Sequence, residues 1–326
     1  MSILRLCAAL LPLACGAAAA HAAVAAETQA ALATLWRDEP AVTDRVRIDP
    51  IQLVPEPSDL LLLDDGVWTV SDKVPMIFRL EPPADGAGGW VAKRWTPAGM
   101  PEKTDLEAMT VLPTGEVLIA SEINGTIFVL SQFPERVCAA WITGVDARCF
   151  IGPDNCGIEA LAVVPGGRLF VAKERETRGA WLFDLPDKPC AAHTLTGRTY
   201  LKLPDEIGAD ISAATYDAPS GHLLLVARSR QKVLEFEVPP PTPGDTSPRP
   251  LHLVGEFSFA LTERALGYPG GLFYNQVEGI AVDPNRVLLL MVDNNRQESS
   301  RFKDRRAALI RFFPIPTPRV EPRALR

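Results

Sequence analysis

Three glutamates recur in one setting along the chain. Asp105-Leu106-Glu107, Gly157-Ile158-Glu159 and Val277-Glu278-Gly279 each place a carboxylate at the head of an apolar run, and Ser58-Asp59-Leu60 and Asp210-Ile211-Ser212 repeat the setting with serine. A second polar residue follows each after 14 to 16 positions: Asp72, Glu122, Glu174, Arg228 and Asp293. Facing residues of a hairpin project on one side with Cβ atoms roughly 5 Å apart. Pairing Ser58 with Asp72, Glu107 with Glu122, Glu159 with Glu174, Ser212 with Arg228 and Glu278 with Asp293 gathers seven carboxylates and one arginine.

Carboxylates packed this closely repel, so they either hold protons above their ordinary pKa or bind a cation. Calcium suits them, because it takes about six to eight oxygen ligands and tolerates irregular geometry. The expected shell is Glu107, Glu159 and Glu278 with Ser58, Ser212 and water, and with Asp72 and Asp293 as further metal candidates. No His or Cys shares the register, which argues against softer metals. The plainer alternative is a set of solvated turn residues and salt-bridge partners.

Basic residues follow the second runs: Arg175 and Arg178, then Arg228, Arg230 and Lys232, then Arg296, Arg301, Lys303, Arg305 and Arg306. An acidic centre with a cationic collar suits a small anionic ligand such as a phosphate or carboxylate. Arg175, Arg228, Asn294 and Arg296 are the ligand-binding candidates, and the stretch from Asn294 to Arg306 is long enough to serve as a lid. Screening of the acids by these cations is the competing account.

Other chemistries lack their motifs. There is no nucleophile elbow, no H-E-x-x-H and no P-loop. Beyond the N-terminal segment only His193, His222 and His252 remain, each in or beside a predicted outer strand or turn. Whether the protein is an enzyme stays open. Any catalysis is expected to be calcium-assisted hydrolysis of an ester, lactone or phosphoester, with Glu122 or Glu174 as general base. The formal net charge of -7 excludes nucleic acid as the expected partner.

The elements that must position these residues are hairpins. Ala108 to Leu112 meets the turn Pro113-Thr114-Gly115 and a second run from Val117 to Ala120; a third run, Ile127 to Leu130, follows a polar loop. These lengths and turn signals describe strands. Five segments share the plan, starting at Ser58, Asp105, Gly157, Asp210 and Val277, at a period of about 50 residues. Val137 to Ile142, Thr199 to Leu203 and Leu251 to Phe259 supply fourth strands. The expected fold is all-β: a single β-propeller of about five four-stranded blades over residues 45–313, with six possible. Arg45 to Val54 can close the ring, because the tail from residue 314 to 326 is too rich in Pro to make a strand. Pro239 to Pro250 is expected to be a loop within a blade.

The N-terminus reads as a secretory signal over residues 1–22, with cleavage between 22 and 25. Arg5 supplies its positive start, Leu6 to Ala20 is apolar, and Ala20-His21-Ala22 fits small-x-small. The expectation is a periplasmic or secreted protein; a lipoprotein anchored through Cys15 is the alternative. No later stretch is apolar for the roughly 20 residues of a membrane span. Cys138, Cys149, Cys156 and Cys190 then remain, and two disulfides are expected. Of three possible pairings, Cys138 with Cys149 and Cys156 with Cys190 is preferred. Zinc is disfavoured because no C-x-x-C pair is present.

With these repeats in view, the chain resembles the SdiA-regulated family of exported bacterial β-propellers, related to the phytase-like propellers. The likeness rests on Asn155-Cys156-Gly157-Ile158-Glu159-Ala160-Leu161 with Ala172-Lys173-Glu174-Arg175, on Asp210-Ile211-Ser212-Ala213 with Ser229-Arg230, and on Gln276-Val277-Glu278-Gly279-Ile280-Ala281. It covers residues 50 to 313. The resemblance implies a calcium-binding propeller whose channel acids fall on Glu107, Glu159 and Glu278. Ala108 and Ala160 stand where the family often has Gly, and Asp293-Asn294 where Glu-Pro-Asn is common. The preferred function is a calcium-binding propeller that takes a small anionic ligand or protein partner at the channel mouth; the alternative is a calcium-dependent hydrolase of phytase-like or lactonase-like type.

Overall fold

The computed structural model describes residues 46–52, 54–82, 90–145, 157–174, 179–241, 247–258, 277–285, 287–293 and 308–312. Strand β1 (Val46–Gln52) comes first, followed by blade I: β2 (Pro57–Leu63), β3 (Gly66–Ser71), β4 (Ile77–Glu81) and β5 (Trp90–Trp95). Blade II holds β6 (Leu106–Val111), β7 (Val117–Ser121), β8 (Thr126–Gln132) and β9 (Arg136–Ile142). Blade III holds β10 (Ile158–Val164), β11 (Arg168–Lys173), β12 (Ala180–Asp184) and β13 (Thr196–Lys202). Blade IV holds β14 (Ala213–Asp217), β15 (His222–Ala227), β16 (Lys232–Glu237) and, after the short β17 (Arg249–Pro250), β18 (His252–Ser258). Blade V holds β19 (Val277–Val282), β20 (Leu288–Val292) and β21 (Ala308–Phe312).

The fourth strand of blade V is β1, which pairs antiparallel with β21 from Val46 opposite Phe312 to Pro50 opposite Ala308. The ring therefore closes at five blades, and the six-blade alternative falls away. Inner strands β2, β6, β10, β14 and β19 each touch the next, and β19 returns to β2.

Burial explains why the inner runs are continuously apolar. Every residue of β7 and of β11 is buried, because both faces pack against a neighbouring blade. The outer β9 alternates instead, burying Ala139 and Trp141 while Ala140 and Ile142 face solvent. One apolar cluster lies at each junction: Trp68 with Ile119 between I and II, Trp141 with Ile158 between II and III, Phe170 with Leu225 between III and IV, Val226 with Leu290 between IV and V, and Leu80 with Met291 between V and I.

The outer edges are tied as well. Parallel bridges join Ala98 to Arg136, Ile142 to Thr194, β13 to β17, and β1 to β5. Each links one blade to the next and covers edges that would otherwise offer unpaired N–H and C=O groups. Arg249 and Pro250 of the Pro-rich stretch form β17, which pairs with β13 of blade III.

The disulfide differs from the preferred pairing: Cys138 of β9 joins Cys190, 52 residues on. Trp141 Nε1 donates to Pro189 O at 2.9 Å beside it. The short turn at Pro189–Ala191 packs on the outer strand of the previous blade, so nearness in space overrides nearness in sequence. Cys149 and Cys156, with residues 1–45 and 313–326, lie outside the described residues. Among the described residues no helix is long and apolar enough to cross a membrane.

Candidate functional site

Four of the five inner strands carry an irregularity at the depth where the acids sit, and β14 pairs regularly. In β6, Leu106 pairs with Ser121 and Ala108 with Ala120, leaving Glu107 as an extra residue. Glu159 of β10 and Glu278 of β19 are extra in the same way. In β2 the shift falls between Ser58 and Leu61. Such bulges redirect a side chain and are frequent beside functional sites.

The bulges correct the mirror pairing expected from the sequence. Glu122 N donates to Asp105 O at 2.8 Å, Glu174 N to Gly157 O at 3.3 Å and Asp72 N to Glu56 O at 3.4 Å. Each acid at the end of a second strand thus faces a residue two places earlier than its expected partner. The extra residue in the inner strand breaks the period of two on which mirror pairing depends.

The convergence of the acids holds in spite of this. Carboxylate oxygens of Glu107, Glu122 and Glu159 lie within 4.8 Å of one another, and those of Glu107, Asp72 and Asp105 form a second such set. Burial holds Glu107 well above the ordinary carboxylate range, and repulsion from Glu159, Asp105, Asp72 and Glu278 adds to it. Burial likewise raises Glu159, with Glu174, Glu278 and Glu122 contributing. Glu122 is pushed up to about 7 by burial, against the Gly157 amide that donates to its Oε1 at 2.8 Å. A Cβ on Gly157 would lie 2.1 Å from Glu122 Cγ, so this position needs glycine. Asp72 is pushed up to about 6 by burial, against the ammonium of Lys73.

Arg228 organises the other side of the mouth. Its Nη2 meets Glu174, its Nη1 meets Glu278, and its Nε donates to Asp210 at 3.2 Å. Burial works against the charge of Arg228, yet the carboxylates of Glu278, Glu174 and Asp210 outweigh it and raise the pKa. Arg228, expected to meet a ligand's anion, engages three acids of its own chain. Glu278 is drawn to it, and burial still lifts that carboxyl to about 7. Asp293 is buried and close enough to Glu278 to repel it. Ser212 Oγ, an expected metal ligand, donates to Val277 O at 2.6 Å.

Of the remaining collar, Lys232 pairs with Glu256 at 2.8 Å, and Arg230 is exposed. Arg175, Arg178, Asn294, Arg296 and the expected lid lie outside the described residues.

Sequence reasoning passed over Asp59, Asp105 and Asp210. Asp59 is fully buried with φ at 45°, and its carboxylate accepts Leu60 N at 2.8 Å and Met109 N at 2.7 Å. It also bonds the Ile280 amide, and burial raises its pKa. A Cβ on Gly279 would stand 2.7 Å from Asp59 Cα, so blade V yields room for it. Asp105 and Asp210 open their repeats at one register, a signal visible in the sequence.

Several solved structures are similar to the chain. Glutaminyl cyclase of Myxococcus xanthus is 15% identical over 81% of this chain and 94% of that chain, with a TM-score of 0.48. A luciferin-regenerating enzyme is 12% identical over 82% and 94%, with a TM-score of 0.45. Virginiamycin B lyase from Staphylococcus aureus is 13% identical over 82% and 99%, with a TM-score of 0.41. No curated protein sequence matches the chain. Residues 68–239, more than half of the sequence, match the family described as SdiA-regulated. The repeats, the bulged glutamates and this match agree: the chain belongs to the SdiA-regulated family.

Proposed function

We propose that this is an exported calcium-binding propeller whose channel mouth takes a small anionic ligand or a protein partner. The observation that carries the reading is the set Glu107, Glu122 and Glu159, three largely buried carboxylates within 4.8 Å of one another. Burial and repulsion from neighbouring acids raise the pKa of both Glu107 and Glu159. Unpaired buried carboxylates are costly, and a cation offsets that cost.

The donor set fits calcium. It is all carboxylate oxygen, without His or Cys, and it comes from loops and bulges that tolerate irregular coordination. Glu107, Glu122 and Glu159 would hold the ion, and Asp72 and Glu278 stand close enough to add to its field. A bound calcium would neutralise the acids and present positive charge to an anion at the rim. The Cys138–Cys190 disulfide supports export into an oxidising compartment, periplasmic or secreted.

A second reading, a calcium-dependent hydrolase of phytase-like phosphoesters or lactones, is favoured by Glu122. A carboxyl with a pKa of about 7 can both take and return a proton at neutral pH. Glu174, tied to Arg228, is less suited to that role.

Thermal melts of chelator-treated protein, titrated with calcium, test the binding reading. A rise in melting temperature that shrinks in Glu159→Gln supports it; melts indifferent to calcium defeat it. Assays on phosphomonoester, phytate and lactone substrates, with and without calcium, separate the two readings.

A further inference from the structure

Glu107 belongs to two sets of acids at once, and the second set is separate in composition from the first. Beyond Glu107 it contains Asp72, at the end of β3, and Asp105, just before β6, with all three offering oxygens within 4.8 Å of one another. Asp72 Oδ1 and Asp105 Oδ1 are each buried without a hydrogen-bond partner. Glu107, 9% exposed, belongs to both sets. Buried acceptors in native proteins are almost always satisfied, so two orphaned oxygens on carboxylates of one close set call for an unseen partner.

The chain's own cation serves this set from one side only. Lys73 is 43% exposed; it takes Asp72 Oδ2 and also reaches Glu56 at 2.9 Å, leaving the inward Oδ1 of Asp72 without a donor. An ammonium is a point charge on a flexible stem and brings no acceptor-rich shell of its own. A divalent cation can take several carboxylate oxygens at once, and a carboxylate can bridge two such ions.

We infer that Asp72, Asp105 and Glu107 form a second divalent-cation position, so that Glu107 bridges a pair of ions across blades I, II and III. The inference rests on the calcium reading of Glu107, Glu122 and Glu159 and adds a second ion to it. Lys73 guards the outer side of the pair and weakens the second ion's hold, which makes the second position the looser of the two.

Equilibrium dialysis of chelator-treated protein against calcium, with metal analysis of the retained protein, tests this directly. The wild type should retain two equivalents, Asp105→Asn one, Glu159→Gln one, and Glu107→Gln fewer than either. Lys73→Gln should tighten the second step and leave the first unchanged, and circular dichroism checks that each variant is folded. One equivalent in both the wild type and Asp105→Asn, lost in Glu159→Gln, overturns the second position while leaving the first. Two equivalents insensitive to Asp105→Asn also overturn it, because the second ion then lies elsewhere. No retained calcium in the wild type removes the underlying reading as well.

Discussion

The mouth of the channel has two unlike halves. On the side of blades III, IV and V, Arg228 reaches Glu174, Asp210 and Glu278, so the acids there are matched by a cation built into the chain. On the side of blades I, II and III, Asp72, Asp105, Glu107, Glu122 and Glu159 gather with Lys73 only at the rim. The same repeat thus solves one electrostatic problem in two ways. Where blade IV places arginine after its second strand, Glu174 of blade III and Glu278 of blade V are matched within the chain; around Glu122 of blade II, the proposed site takes a cation from solution.

That contrast can be broken from the arginine side first, where the largest effect is expected. Replacing Arg228 by Met strands three acids, and loss of one partner from a buried ion network typically costs about 3–5 kcal/mol. Chemical denaturation should show a loss of that size, and a loss below about 1 kcal/mol would mean the network is ornamental.

Calcium acts on the opposite half and comes next. At a hundred times its dissociation constant it should stabilise the wild type by about 2.7 kcal/mol. Glu159→Gln should remove the share of that gain that comes from the ion at Glu107, Glu122 and Glu159, while stabilising the metal-free protein, since it removes one of the repelling charges. A variant that keeps the full calcium response would show that the ion sits elsewhere.

Gly157→Ala sharpens the comparison more gently. The new methyl must displace Glu122, and forced overpacking of this kind costs about 1–3 kcal/mol. Calcium affinity should fall in parallel, whereas the pairing of Arg228 with Glu278 should remain intact. Unchanged calcium binding would remove Glu122 from the ligand set.

The smallest effect is the pH slope. Asp72, Glu122 and Glu278 hold protons up to about 6, about 7 and about 7, against ordinary values of 3.8 for Asp and 4.5 for Glu. Across that window the folded chain binds more protons than the unfolded chain, so metal-free stability falls as pH rises from about 4.5 to about 7. Calcium competes with those protons, and its stabilisation should grow over the same interval. Melting temperatures measured with chelator and with calcium should diverge as pH increases; parallel curves would contradict this.

The architecture was legible because it depends on spacing. Repeats starting at Ser58, Asp105, Gly157, Asp210 and Val277 announce five blades, and a Pro-rich end after Phe313 leaves the closing strand to the N-terminal side, where β1 is found. Glu278 is drawn to Arg228, whereas the nearness of Glu107 and Glu159 followed from the same register. Three details did not, for physical reasons. An inserted residue such as Glu107 leaves no mark in a pattern of apolar residues, so the pairing of Glu107 with Glu122 was displaced. Arg228 has no label that says whether its partner is a ligand or Glu174, because that depends on three blades meeting. Cys138 and Cys190 stand 52 residues apart, about one repeat, and that spacing was the available hint that the bond runs between neighbouring blades.

The central claim is that the half without an internal arginine is the half that takes a cation. Crystals soaked in terbium, a calcium substitute with strong anomalous scattering, would locate the ion directly. The account predicts an anomalous peak bounded by Glu107, Glu122 and Glu159 and none beside Arg228. A peak among Glu174, Asp210 and Glu278, or no peak in the channel mouth at all, would contradict it.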